Sequence, residues 1–199
     1  MSNHPEFSET VRSQVERIFQ HGIPAVAGLY DLTSVRLVRF AATVTRSQHD
    51  AEDAVASALL KVVSEIDLLY RARNPWAFLL QMVRNESLQI LRRKKRWRVA
   101  AGKLGECLTD LLIAPAKPDA IESQESMQEV WRALRRLPTE QAEVVVLKIW
   151  EEFTFHQIAQ TLDIPPATAA SRYRYGLAKL SEFLGPEIPQ EVGDTPNRL

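Results

Sequence analysis

The sequence predicts an all-helical protein of two small domains joined by a flexible linker, on three observations. In successive segments apolar residues recur at steps of three and four, the spacing of one helical face. That periodicity fails from Val99 to Ser126, where Gly102, Gly105, Pro115 and Pro118 interrupt it. Beyond it, a short helix, a tight turn and a longer helix follow in the order of a helix-turn-helix. At 199 residues the chain can bury two such cores. The expected organisation is an N-terminal extension at 1–27, a first domain at 28–98, a linker at 99–126, a second domain at 127–184 and a polar tail at 185–199.

Val11, Val15, Ile18 and Phe19 predict a short amphipathic helix over 8–20, broken by His21-Gly22-Ile23-Pro24. Leu32, Val35 and Phe40 predict a second helix from Leu29 to Val44, with Arg36, Arg39 and Arg46 on its other faces. The third is read as one helix through Val55, Leu59, Val62, Ile66 and Leu69, with Asp50 and Asp53 as N-cap and first-turn acids. Its exposed positions are expected to be acidic: Asp50, Glu52, Asp53, Glu65 and Asp67 stand against Lys61 alone. Helix capping accounts for the first three of these acids, and a protein-docking face accounts for them equally well.

Asn74-Pro75 restarts the chain as N-cap and first helical residue, and Trp76, Leu79, Met82, Val83 and Ile90 supply an apolar stripe. This helix ends in RNESLQILRRKKRWR, residues 84 to 98. Between Arg71 and Arg98 there are nine Lys or Arg residues and one acid, Glu86. Two or three cations would complement the negative end of a helix dipole. A longer run that mixes Arg with Lys and contains Trp97 predicts a surface that tracks nucleic-acid phosphate.

In the second domain, Val130, Trp131, Leu134 and Leu137 form one helical face that stops at Pro138. Ala142, Val145, Val146 and Ile149 form the inward face of a helix from Thr139 to Trp150. Thr154 and Gln157 have the spacing of a capping box before Ile158, Ala159 and Leu162. Asp163-Ile164-Pro165 makes the turn, and Pro166 opens a last helix through Ala169, Tyr173, Leu177, Leu180 and Leu184. Thr168, Ser171, Arg172 and Arg174 then stand where a recognition helix meets the major groove.

Lys plus Arg equals Asp plus Glu, 25 each, so the basic run is balanced by acid elsewhere. Such segregation predicts two different partners, and it predicts that the free protein can close its two halves on each other and hide its DNA surfaces. A single cysteine, Cys107, excludes an internal disulfide and fits a reducing cytosol. The N-terminus carries Glu6, Glu9 and Glu16 and has no long apolar core, so neither signal peptide nor membrane span is expected and a soluble, cytoplasmic protein is. No metal site is foreseen in the scattered His4, His21, His49 and His156, and no glycine-rich phosphate loop is found. No catalytic residue, metal or cofactor is expected.

The order of these parts, with DAEDAVASALL at 50 to 60, NPWAFLLQMVRNESLQILRR at 74 to 93, LRRLPTEQAEVVVLKIW from 134 and FTFHQIAQTLDIPPATAASRYR up to 174, resembles a bacterial RNA polymerase sigma factor of the sigma-70 family, extracytoplasmic-function (ECF) group. The resemblance implies a sigma region 2-like bundle and a sigma region 4-like helix-turn-helix. It implies core RNA polymerase as partner, through its clamp and its flap, with promoter DNA bound both as duplex and as a melted non-template strand. An anti-sigma factor is a further implied partner. Carried over, Asp50, Glu52, Asp53 and Ser57 meet the clamp. Asn85, Gln89, Arg92, Arg93, Lys94 and Lys95 lie at the minus-ten element, the loop Asp67 to Asn74 holds a flipped base, and Thr168, Ser171, Arg172 and Arg174 face the minus-thirty-five duplex.

The chain departs from the family pattern in places. Ala56-Ser57 replaces a frequent Gln-Glu, Gln89 a common Asp, and Ala167-Thr168-Ala169-Ala170 a Gly-Thr-Val-Lys turn, which removes one phosphate contact. Tyr175 and Leu177 stand where the family tends to have Arg. Two other readings fit parts of the chain: a helix-turn-helix regulator, and a sigma-like adaptor that docks on polymerase without opening promoters.

Overall fold

The structure, a computed structural model, describes residues 4–100 and 125–184. Cys107, the apolar linker residues Leu108, Leu111, Leu112 and Ile113, and the tail at 185–199 lie outside the described residues. Among those described, all regular structure is helical.

Helix α1 spans His4–His21, starting before the expected residue 8, and buries Val11, Val15 and Ile18. Phe19 is instead half exposed and stacks on Tyr70. Gly22, at φ 71°, ends the helix, and a 3-10 turn at Ile23–Ala25 leads into α2, Val26–Thr45. At Gly28 the Gln14 side chain lies over the backbone, with its amide donating to the Ala25 carbonyl at 2.8 Å, so a Cβ there would displace that amide. The N-terminal segment therefore packs into the first half: α1 contacts α2, α4 and α5.

Helix α3, Gln48–Ser64, is capped by Ser47, whose hydroxyl accepts from the Asp50 N–H at 3.3 Å. Asp50 is thus neither the N-cap nor exposed; it is 4 % accessible and ion-paired. The single helix expected through Leu69 is two. Ser64 donates to the Lys61 carbonyl at 3.0 Å, a local bond that competes with the helical ladder, and after Glu65 the chain turns into α4, Ile66–Arg71. Asn74 then caps α5, Pro75–Ala100, by accepting from the Ala77 N–H at 3.1 Å. Trp76, Leu79, Leu80, Met82, Val83 and Ile90 of α5 pack with α2 and α3 into a bundle.

The second half comprises α6 (Glu125–Arg136), α7 (Thr139–Ile149), α8 (Phe155–Leu162) and α9 (Pro166–Leu184). The capping box forms as expected, with the Thr154 hydroxyl accepting from the Gln157 N–H and the Gln157 side chain accepting from the Thr154 N–H. Asp163 adopts the left-handed conformation that turns α8 into α9. Gly176 lets α9 lie close on α7, where a Cβ would approach Val145 to 2.8 Å. Helix α7 does not have one inward face: Ala142 through Leu147 are all buried, whereas Ile149 is 45 % exposed. The reason is position. Helix α9 packs on one side of α7 and α2 of the first half on the other, so one continuous apolar cluster runs through both halves.

Candidate nucleic-acid interface

The basic end of α5 lies across a groove from α3. Asp53, Ala56, Ser57 and Leu60 of α3 line one wall, and Gln89, Ile90, Arg92, Arg93, Lys95 and Arg96 of α5 line the other, around about 980 Å³. Helical spacing explains the arrangement: Ile90 and Met82 turn toward the core, so Asn85, Gln89, Arg92 and Arg93 turn outward and are exposed. Trp97 stands 74 % exposed beside them, able to stack on a base or pack on a partner. An open surface with several unpaired guanidinium groups can neutralise phosphates and release their counterions.

The six residues expected at the minus-ten element are not equivalent. Lys94 donates to Asp50 at 2.6 Å, so this pair fastens α5 to the start of α3. Glu86, the lone acid of the run, is buried and ion-paired to Lys61 of α3 at 2.5 Å, and this hydrogen bond raises the pKa of the Lys61 ammonium. Asp50 and Glu86 thus serve to hold α3 and α5 together. Of the residues expected at the clamp, Glu52 and Asp53 are exposed, Ser57 is half-buried on the groove wall and Asp50 is withdrawn.

The expected base-holding loop is shorter than Asp67 to Asn74, because Asp67 to Arg71 belong to α4; only Ala72, Arg73 and Asn74 lie between helices. On α9, Arg174 is exposed, while Thr168, Ser171 and Arg172 are half-buried. The Ser171 hydroxyl donates to the Thr168 carbonyl at 3.0 Å, within the first turn. Tyr173 sits against Phe155 at 5.7 Å between ring centroids, which joins the two helices of the helix-turn-helix, and burial raises its phenol's pKa.

A further set of polar residues, not foreseen as a group, joins the two halves. Arg84 grips Glu143 of α7 with two hydrogen bonds, Nε to Oε1 at 2.7 Å and Nη2 to Oε2 at 3.2 Å. Glu151 accepts from the Trp76 indole N–H at 2.9 Å and from Arg36 at 3.3 Å. Arg46 donates to the Leu137 carbonyl at 2.8 Å. Both glutamates are about 1 % exposed, and burial raises their pKa despite the arginines that oppose the shift. In the first half the sequence signal was Arg36 and Arg39 within a largely apolar helix, with Arg46 at its end. Closing by charge was expected, but the pairs come from Arg36 and Arg84 rather than from the 92–98 run. The basic face of α5 is not hidden either, since Asn85, Gln89, Arg92 and Arg93 remain exposed.

No helix among the described residues is long and apolar enough to cross a membrane, and no cluster of three metal-ligating side chains occurs among them.

Comparison with known proteins points in one direction. Residues 29–97 match the family model described as Sigma-70 region 2, and residues 127–180 match Sigma-70, region 4, together well over half of the chain. The chain is similar to the ECF RNA polymerase sigma factor SigW of Bacillus subtilis, 22 % identical over 180 residues, covering 87 % of this chain and 96 % of that one. It is similar to the RNA polymerase sigma-E factor of Streptomyces coelicolor, 28 % identical over 148 residues, 74 % of this chain and 79 % of that one. Among solved structures it resembles the sigma factor RpoE in complex with the anti-sigma factor NepR from Bartonella quintana. That match has a TM-score of 0.67 at 23 % identity and covers 81 % of this chain and 98 % of that one.

Proposed function

The chain belongs to the sigma-70 family of RNA polymerase sigma factors, in the extracytoplasmic-function group, and from that premise we propose that it binds core RNA polymerase and directs promoter recognition, minus-ten melting and the start of transcription. The observation that carries the proposal is the groove in which α3, with Asp53, Ala56, Ser57 and Leu60 on its wall, faces the exposed basic end of α5, in the same chain as a capped helix-turn-helix. A surface for protein and a surface for phosphate lie side by side there. Polymerase held on one is therefore delivered to DNA held on the other.

In this reading the segment 28–98 is the promoter-opening domain and 127–184 the domain that reads the minus-thirty-five duplex. Glu52, Asp53 and Ser57 meet the clamp, while Asp50 supports that face from beneath through Lys94. Asn85, Gln89, Arg92, Arg93 and Lys95 track the melted strand. Arg174 and Thr168 enter the major groove, with Ser171 and Arg172 at their side. A single strand is favoured over duplex because its unstacked bases can be enclosed by side chains, with Trp97 as a stacking platform. The protein acts in the cytoplasm, performs no chemistry of its own and needs no cofactor; an inhibitory anti-sigma protein completes its set of partners.

The test is run-off transcription with sigma-free core polymerase from a related bacterium on a library of promoter fragments. Transcripts that begin at defined sites only in the presence of this protein are the expected outcome. Binding to core without defined starts would make it a docking adaptor, and binding to duplex without core would make it an ordinary regulator.

A further inference from the structure

The N-terminal helix lies outside the region 2 match, which begins at residue 29, yet it is fastened to the loop between α4 and α5. Arg12 of α1 donates through Nη2 to two successive carbonyls of that loop, Ala72 at 3.1 Å and Arg73 at 2.6 Å. One guanidinium bonded to consecutive carbonyls fixes the peptide plane between them, and hydrogen bonds from a charged donor are the stronger kind. On either side of the loop the same helix makes aromatic contacts. Phe19 stacks flat on Tyr70 of α4, at 4.3 Å and 8°, and Phe7 meets Trp76 of α5 edge-on at 5.0 Å. The helix is therefore attached before, within and after the loop.

A cleft of about 710 Å³ opens beside this attachment. Arg12, Arg73, Asn74 and Gln81 stand on its wall together with Ser8 and Glu9 of α1. Its volume exceeds that of a nucleobase, and its lining offers donors and acceptors for a base edge. In the closed arrangement Gln157 and Gln160 of α8 line the same cleft.

We infer that α1 is a working part of the base-reading loop, with Arg12 as a positioning residue that sets Ala72–Asn74 in the conformation that receives a base flipped from the melted strand. The inference rests on the promoter-opening role proposed above. A loop of three residues between two helices has few internal contacts to hold it, and α1 supplies rigidity that α4 and α5 do not.

Two measurements on the full chain test it, comparing wild type with Arg12→Ala, Arg12→Lys and the exposed control Glu16→Ala. Hydrogen exchange of the segment 69–74 is expected to quicken about tenfold in Arg12→Ala, the loss of a charge-assisted bond pair, and to stay unchanged in Glu16→Ala. Run-off transcription with core polymerase then uses promoters that the wild type selects, each carrying one of the four bases at the flipped position. Arg12→Ala is expected to compress the ratio of best to worst base about tenfold, with core binding at the wild-type level. If the alanine variant does not fold, Arg12→Lys carries the test, since it keeps the charge and replaces the planar guanidinium, whose Nη2 reaches both carbonyls, with a shorter-reaching ammonium.

Unchanged exchange would overturn the positioning role. Faster exchange with an unaltered base ratio, or a loss equal at all four bases, would assign Arg12 to folding and overturn its part in reading. A wild type that yields no defined start sites would sink the base-reading role together with the function it rests on, and the exchange result would still decide whether Arg12 holds the loop.

Discussion

Two neighbouring lysine and arginine residues of α5 carry the same charge and different tasks. Arg93 is exposed on the groove wall, whereas Lys94 is bonded to the buried Asp50. Arg93→Ala is expected to lower affinity for DNA in the holoenzyme and to reduce the slope of log affinity against log salt by about 1, leaving the unfolding temperature unchanged. Lys94→Ala is expected to cost about 1–3 kcal/mol of stability, because it strands a buried carboxylate. A salt titration and a thermal melt on the two variants separate these roles; equal melts would contradict the assignment. The distinction was not legible in RRKKRWR, since adjacent residues on a helix differ by 100° in direction and only the partner helix decides which one is met.

At the scale of the element, caps and turns could be read directly because their chemistry is local. Asn74, Pro75, Thr154, Gln157 and Pro166 act within one turn of their own position, and each does what its residue type implies. Thr154→Ala is expected to lower stability by about 1 kcal/mol, read from chemical denaturation monitored by helix content, with Thr154→Ser near wild type. Two helices were misread. Residues 48–71 pass for one helix by period, and a serine-to-carbonyl bond at Ser64 together with the turn at Glu65 divides them. Helix α7 passes for amphipathic, and it is buried almost all round because α2 covers the side that a free second domain would expose. Glu143 inside its Ala142–Leu147 run was the signal available: a carboxylate among valines needs a cation from elsewhere.

At the scale of the whole molecule, the contact between the halves sets buried ion pairs within a continuous apolar cluster. Removing one partner leaves a buried charge, so Arg84→Ala is expected to weaken the closed arrangement by about 3–5 kcal/mol. Small-angle scattering would show a larger radius of gyration for the variant than for wild type. The contact is also incompletely satisfied. The buried Arg39 Nε and Glu151 Oε1 have no hydrogen-bond partner among the described residues, a cost that favours separation when another surface competes for either half. This suits a protein whose two DNA-facing helices must reach separate promoter elements under the function proposed.

The same glutamates couple closure to pH. Burial raises the pKa of Glu143 and of Glu151 in the closed form, so over the interval between those raised values and the ordinary glutamate pKa of 4.5 the closed form holds more protons than an open form with solvated carboxylates. Closure therefore gains stability as pH falls from neutral into that interval, and the gain levels off below it. Scattering across a pH series from neutral down to the ordinary glutamate pKa of 4.5 is expected to give the more compact particle toward the lower pH, and expansion on acidification would contradict the sign.

The all-helical class, the two-part order, the capping box, the helix-turn-helix and the basic face of α5 were determined by the sequence alone. These follow from spacing and composition over stretches of a few turns, which a linear reading contains. Only the tertiary structure decided that Asp50 is buried under Lys94, that α1 is bonded to the loop before α5, and that Arg36, Arg84 and Trp76 meet Glu151 and Glu143 across the halves. Each of those joins residues from 44 to 115 positions apart. At such separations the energy of a contact depends on which faces the packed helices turn toward one another, and that is set by the shape of the whole core.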